Sequence, residues 1–365
     1  SDVYKRQENY RMGYINNAPN PKLRWEKTRD VKVALDFGLW KDRINGIVEA
    51  YWRKSKDCVT SEYVPVTTGF FNQSYNTSVL QNNGVEFSLS VAVLKSKDYN
   101  LSVSANVAWN QNKLKKYNSP NTSLALDKYV GYPMGAVFSG KYEGIDPETG
   151  MYKFKLRPDA VTNKDGYLRE PNNYYYYLGT SVAPFTGGFN LNFSYKNIGL
   201  SVGGSYSVKA KMVDNIESPA GYELLSGSKL ESIPTPHNDL YRNHLNVKRE
   251  VRNRWTPENR TGVKYPRLID AYGKKLGLDL TNPTLTTITR GALLEDISYL
   301  RINTIALSYS LPQRVLERIN FSSAALNLTL NNFFTITKYS GIDPEVPGAT
   351  YPVSRSVTIG LNVGF

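Results

Sequence analysis

The last strand of the chain alternates without interruption. Val357, Ile359, Leu361, Val363 and Phe365 occupy one phase, and Ser356, Thr358, Gly360, Asn362 and Gly364 occupy the other. Successive strand residues point to opposite faces, so this spacing makes one face wholly apolar and the other polar. A strand of this form, finishing on an aromatic residue, is expected in a barrel whose outer face meets lipid. A soluble β-protein has little reason to finish on its most apolar face.

The same period recurs along the chain. Val31, Val33, Leu35, Phe37 and Leu39 lead through a turn at 40–43 into Ile44, Val48, Ala50 and Trp52. Val85, Phe87, Leu89, Val91 and Val93 precede Tyr99, Leu101, Val103, Ala105, Val107 and Trp109. Phe185, Phe189, Leu191, Phe193 and Tyr195 turn at Lys196 and Asn197 into Ile198, Leu200, Val202, Tyr206 and Val208. A fourth pair opens near Ser298, where Leu300 and Ile302 are out of phase with Ile305, Leu307 and Tyr309, which predicts a bulge at Asn303 and Thr304. Pro312 ends that strand, a short helix is expected over 313–319, and Ala324, Leu326, Leu328 and Leu330 follow. With the terminal strand these make nine.

Long polar connections alternate with tight turns: 58–81, 111–183, 209–296 and 335–353, with a further hairpin expected from Ala136–Tyr142 and Met151–Leu156. Strict alternation of this kind is the asymmetry of an outer-membrane barrel, with short periplasmic turns and long outside loops. It puts Phe365 at the periplasmic rim. Nine strands starting on a downward one do not close a single-chain barrel, so more chain is expected before residue 1. The lack of an apolar export segment in 1–7 points the same way, and residues 1–7 resemble translated adapter sequence.

Composition fits this reading. The 365 residues include 27 Tyr, 13 Phe and 5 Trp against one cysteine, a supply of strand-forming aromatics with no internal disulfide. Cys58 reads as a tolerated neutral residue rather than a redox centre. No uncharged apolar run approaches the roughly 20 residues of a transmembrane helix, while barrel strands hide their hydrophobicity in alternation. The net charge of +13 invites a nucleic-acid reading. The cations scatter through loops, as at Lys113, Lys115 and Lys116 or Lys248, Arg249, Arg252 and Arg254, with no nucleic-acid module around them. Solvated loops or contacts to anionic outer-leaflet lipid account for them better.

Lys141–Glu148 and Lys338–Glu345 repeat one pattern, Lys-Tyr-x-Gly-Ile-Asp-Pro-Glu. Asp-Pro initiates turns because proline fixes its own φ and moves the preceding residue out of the helical region. A rigid corner is favoured over a Ca²⁺ site at Asp146 and Glu148, which would need six or more oxygens. Tyr174, Tyr175, Tyr176 and Tyr177 form an aromatic cluster suited to stacking on sugars or to loop packing, and packing is the preferred account. Together with Trp255 they are the candidate substrate or partner contacts. His237 and His244 lie at no metal-ligand spacing, and no catalytic fingerprint is present, so neither catalytic, metal nor cofactor-binding residues are expected.

Several stretches together resemble the carboxy-terminal part of SusC/RagA-type TonB-linked outer membrane receptors of Bacteroidota. They are Asn20–Glu26, Asn83–Phe87, Tyr142–Gly150, Thr186–Phe189, Asn253–Pro257, Ser298–Arg301, Leu307–Pro312 and Lys338–Glu345. The resemblance covers residues 14–365, with 1–13 as a fragment start. It implies an all-β fold, an antiparallel transmembrane barrel of which this chain supplies about 9 to 11 of some 22 strands, without the plug. It implies a SusD-like surface lipoprotein as partner and the TonB complex acting through a missing amino-terminal part. The cargo would be an oligosaccharide or peptide, glycans foremost. By resemblance to outer-membrane barrels generally, Val357, Ile359, Leu361, Val363 and Phe365 would be the assembly signal. Ile297 stands where that family usually has Gly, so an altered local turn is expected. Two rivals remain: a carbohydrate-binding surface β-domain, and a small closed barrel acting as adhesin or porin.

Overall fold

The structure, a computed structural model, describes residues 18–118, 129–148, 150, 152–160, 173–213, 252–265, 290–349 and 351–365. His237, His244, Lys248, Arg249, Met151 and residues 1–13 lie outside them.

Nine long antiparallel strands form the main sheet. They are β1 (Lys27–Leu39), β2 (Ile44–Tyr63), β3 (Asn72–Lys95), β4 (Tyr99–Tyr117), β9 (Phe185–Tyr195), β10 (Ile198–Val208), β13 (Tyr299–Ser310), β14 (Ser323–Thr337) and β15 (Ser356–Gly364), hydrogen-bonded in that order. Each strand neighbours the next long strand in sequence, as an up-and-down meander requires. Six short strands pair in twos: β5 (Ala136–Gly140) with β8 (Tyr175–Thr180), β6 (Tyr142–Ile145) with β7 (Tyr152–Phe154), and β11 (Lys211–Val213) with β12 (Leu294–Asp296). The helix α1 (Gln313–Ile319) links β13 to β14 after Pro312 and ends at Asn320, whose φ of 54° takes the left-handed conformation of a C-terminal cap.

The strands belong to two compact units. The larger comprises residues 36–47, 87–109 and 135–365. Within it the register places like on like across six strands. Val103, Leu191, Val202, Ile305, Leu330 and Val357 are successive cross-strand partners, and so are Leu101, Phe193, Leu200, Leu307, Leu328 and Ile359. Between these apolar rows runs a row of the opposite phase: Ser102, Asn192, Ser201, Ala306, Thr329 and Thr358. Toward the tight turns the outer row becomes Tyr99, Tyr195, Ile198, Tyr309, Leu326 and Leu361. This outer row is exposed, with Leu361 above 60%, whereas the two inner rows are half-buried except at Leu307, Val357 and Ile359. An apolar surface this extensive does not face water. Its tyrosine-rich border has the character of the aromatic girdle at a membrane interface, and β9 and β10, at 11 residues each, have the length that a tilted strand needs to cross hydrocarbon.

At the opposite end of the apolar face, aromatic rings lie over glycines. Phe189 pairs with Gly204 and Tyr206 with Gly187. A Cβ on Gly187 would lie 2.1 Å from the Asn106 carbonyl oxygen. Its absence lets the Tyr206 hydroxyl pass over β9 and donate to that carbonyl at 2.8 Å. The phase change at 302–305 is a true irregularity: the register shifts between Ile302 and Thr304 against β14, and between Gly203 and Gly204 against β10.

The smaller unit comprises residues 18–35, 48–86 and 110–134 of the described chain. The sequence suggested a loop over 58–81, but β2 and β3 run through most of it and leave only 64–71 as the connection, including a 3-10 turn at Val66–Thr68. Hydrophobic alternation fades there because both faces are polar, while side-chain hydrogen bonds such as Thr60 with Thr77 and Tyr117 with Glu62 accompany the backbone pairing. Leu114, 2% exposed, is the most buried apolar side chain of this unit; its backbone bonds Gly131 and Tyr132.

Candidate outside-loop site

The loop segments of the larger unit form a small folded layer. β5 and β8 bring Phe138 to 5.8 Å from Tyr177, ring to ring, at an interplanar angle of 57°. The expected pairing of 136–142 with 151–156 is thus only half realised: 142–145 does pair with 152–154, whereas 136–140 pairs with 175–180. Both sides of the second pairing are aromatic and β-branched, which favours extended partners over a local hairpin.

The tyrosine cluster divides by role. Tyr176 donates its hydroxyl to the Leu156 carbonyl at 2.9 Å, and Tyr177 is 41% exposed. Tyr174 and Tyr175 are half-buried. Burial pushes the Tyr174 phenol above its ordinary range, and the same holds for Tyr142. Trp255 is 6% exposed, and its indole N–H donates to the Pro147 carbonyl at 2.9 Å. It therefore holds the first Asp-Pro-Glu turn from behind.

The two copies of that motif fold alike. Asp146 Oδ1 accepts the Glu148 backbone N–H at 2.8 Å, and Asp343 Oδ1 accepts that of Glu345 at 2.9 Å. Each is an Asx turn, the structure that an Asp before Pro favours. The copies differ in what anchors them. Around the first stand Trp255 and Arg260, the latter 3.9 Å from Glu148. The second is clamped by Arg301 of β13, which bonds Asp343 and Glu345 at 2.6 Å each and Thr335 at 3.2 Å. Sequence reasoning gave Arg301 no role; the signal was an arginine on the polar phase of a strand, with a carboxylate-bearing turn following the next one. Ile297 is 8% exposed and packs with Ala210 and Tyr339 in a small core.

On the polar phase of the larger unit, Asp36, Asn45, Ser88, Ser104, Asn106 and Asn190 border a concavity of about 540 Å³. Hydroxyls, amides and the carboxylates of Asp36 and Asp42, with Phe37, Ile47 and Leu89 among them, line it, with no nucleophile and base brought together. Among the described residues no group of three or more His, Cys, Asp or Glu is placed to hold a metal.

An antiparallel sheet with apolar rows, an aromatic border and a polar opposite face has the alternation that an outer-membrane barrel wall requires. No protein-family model matches the chain. It is 25% identical over 96% of its length to the TonB-dependent receptor P26 of Formosa agariphila, and 25% identical over 95% to the TonB-dependent receptor SusC of Bacteroides thetaiotaomicron. Of the solved structures, the RagAB peptide importer in its closed-closed state superposes with a TM-score of 0.74 at 26% identity over 96% of this chain, and the RagAB peptide transporter with 0.70 over 95%. The chain spans 32–36% of these curated relatives and 36–37% of those solved chains. It is thus a distant relative of TonB-dependent receptors of the SusC/RagA kind, matching one part of them. Those relatives are TonB-dependent receptors, and those solved structures are of a peptide transporter or importer.

Proposed function

We propose that this chain supplies barrel wall and outside loops to a TonB-dependent outer-membrane transporter that imports oligomeric nutrients, glycans foremost. The observation that carries this reading is the set of apolar rows running unbroken across six strands, the one nearest the tight turns exposed, opposite a polar phase. Energy would come from the TonB complex through a segment outside this chain, and a SusD-like lipoprotein would cap the entrance. Tyr174, Tyr175, Tyr176, Tyr177 and Trp255 would serve that entrance, Tyr177 by direct contact and Trp255 by holding a turn in place. The alternating residues Val357 to Phe365 would act as the assembly signal. Alone the chain would not transport, because among the described residues β1 and β15 end the sheet with backbone groups that no further strand pairs and hydrocarbon cannot satisfy.

A peptide cargo is the second reading, favoured by the likeness to the RagAB peptide transporter and importer. A strain lacking the receptor, supplied with oligosaccharides or oligopeptides as sole nutrient, separates the two. Loss of growth on oligosaccharide supports the first reading and loss on oligopeptide the second; undiminished uptake of both contradicts import. A surface carbohydrate-binding domain would bury its apolar faces, whereas the row from Tyr99 to Leu361 is exposed.

A further inference from the structure

Charge on β1 and β2 falls into two sets, and only one is internally neutralised. On the polar phase Arg53 grips Asp30 at 2.7 and 3.1 Å, and Lys32 pairs with Glu49. On the apolar phase, Lys27 and Arg29 prolong the row of Val31, Val33 and Leu35, while Lys54 and Lys56 prolong that of Val48, Ala50 and Trp52. These four cations and Trp52 line a concavity of about 360 Å³. None of the four makes an ion pair with a described residue. Asp57, the one carboxylate there, is engaged by Arg24 at 3.3 Å.

Four like charges gathered around a single carboxylate that Arg24 already engages repel one another, so an anion bound among them gains from all four. Their position narrows the anion. They continue an apolar stripe on its own face, at the strand ends away from the tight 40–43 turn, and Trp52 joins them as interfacial indoles do at the headgroup level. Water-facing cations on a loop would have no reason to keep the phase of a lipid-facing row. Arg and Lys are the side chains suited to phosphate oxygens, Arg by its fork and Lys by its compact charge.

We propose that Lys27, Arg29, Lys54 and Lys56 form a binding site for the phosphate of an anionic lipid in the outer leaflet, with Trp52 at the acyl boundary. The assignment of leaflet rests on the outer-membrane orientation argued above.

The test uses the full-length receptor that carries this chain, purified in detergent and offered bisphosphorylated lipid A, the same lipid after phosphatase treatment, or inorganic phosphate, with retention read by native mass spectrometry. Near an anionic surface each basic residue is worth about fivefold in affinity, so Arg29→Gln with Lys54→Gln should weaken retention of the phosphorylated lipid roughly 30-fold. Each single substitution should give about fivefold, and Arg29→Lys with Lys54→Arg should restore binding. Equal retention by the double variant and the parent overturns the site, as does equal retention of the phosphatase-treated lipid. Displacement by inorganic phosphate at matching concentration overturns the lipid as its occupant. Heat-modifiable migration of the parent reports the barrel independently: its absence contradicts the outer-membrane reading, whereas lost lipid discrimination in a heat-modifiable parent contradicts this site alone.

Discussion

Arg301 Nη2 and Asp343 Oδ1 lie 2.6 Å apart, with side chains 5% and 4% exposed, and together they tie the loop after β14 to strand β13. Glu345, the second carboxylate on the same guanidinium, is 45% exposed at its side chain. Removing Asp343 leaves the buried guanidinium with only the more solvated Glu345, at a cost of up to about 3 to 5 kcal/mol. Asp343→Ala should therefore open residues 338–349 to proteolysis and hydrogen exchange. Glu345→Ala removes a more solvated partner and should cost about 1 kcal/mol or less. Equal protection in the parent and both variants would show that the clamp does not hold the loop.

Trp255 offers a sharper test of how the entrance loops work. Trp255→Phe keeps a buried ring but deletes the hydrogen bond to Pro147, a loss of about 0.5 to 1.5 kcal/mol. Faster exchange at 142–148 with retained co-purification of the lipoprotein is expected if the residue acts through the turn. Loss of the lipoprotein with unchanged exchange would mean that the indole touches the partner itself.

Burial raises the phenols of Tyr142 and Tyr174 above the ordinary value of 10.0. A group whose folded pKa exceeds its unfolded one contributes stability that is fully present below the unfolded pKa and is lost as pH rises through the folded pKa. The loop layer should thus be indifferent to pH up to about 10 and loosen above it. Absorbance titration at 295 nm, compared with Tyr142→Phe and Tyr174→Phe, checks this. Ordinary titration of both phenols would remove the basis for it.

Phe365 meets Phe321 edge to face, with ring centroids 5.1 Å apart at 86°, yet remains 91% exposed. So exposed a ring adds little packing, and its deletion should act on assembly rather than on stability. Full-length receptor without it should be synthesised normally but yield less heat-modifiable barrel in the membrane. Unchanged yield would leave the terminal aromatic without an assembly role.

The nine long strands and the bulge before Ile305 were legible because one strand face is apolar wherever the sheet crosses the membrane-type band. Beyond that band the signal disappears: residues 58–63 and 72–81 continue β2 and β3 with polar side chains on both faces. The pairing of Ala136–Gly140 with Tyr175–Thr180 was hidden for another reason, since nothing local links partners so far apart in sequence. The Asp-Pro-Glu corners were readable from backbone chemistry alone. Their anchors, Arg301 and Trp255, come from distant strands and loops, and only register brings them there.

The central claim is that Val202 and its row face hydrocarbon while Ser201, hydrogen-bonded to Asn192 at 2.8 Å, faces a wet interior. Arginine at mid-membrane on a lipid-facing position costs about 2 to 4 kcal/mol, whereas an interior-facing arginine is solvated. The decisive measurement is the yield of heat-modifiable barrel in the outer membrane for Val202→Arg and Ser201→Arg in the full-length receptor. The account predicts a steep loss for Val202→Arg and near-normal yield for Ser201→Arg; equal yields, or the reverse order, would contradict it.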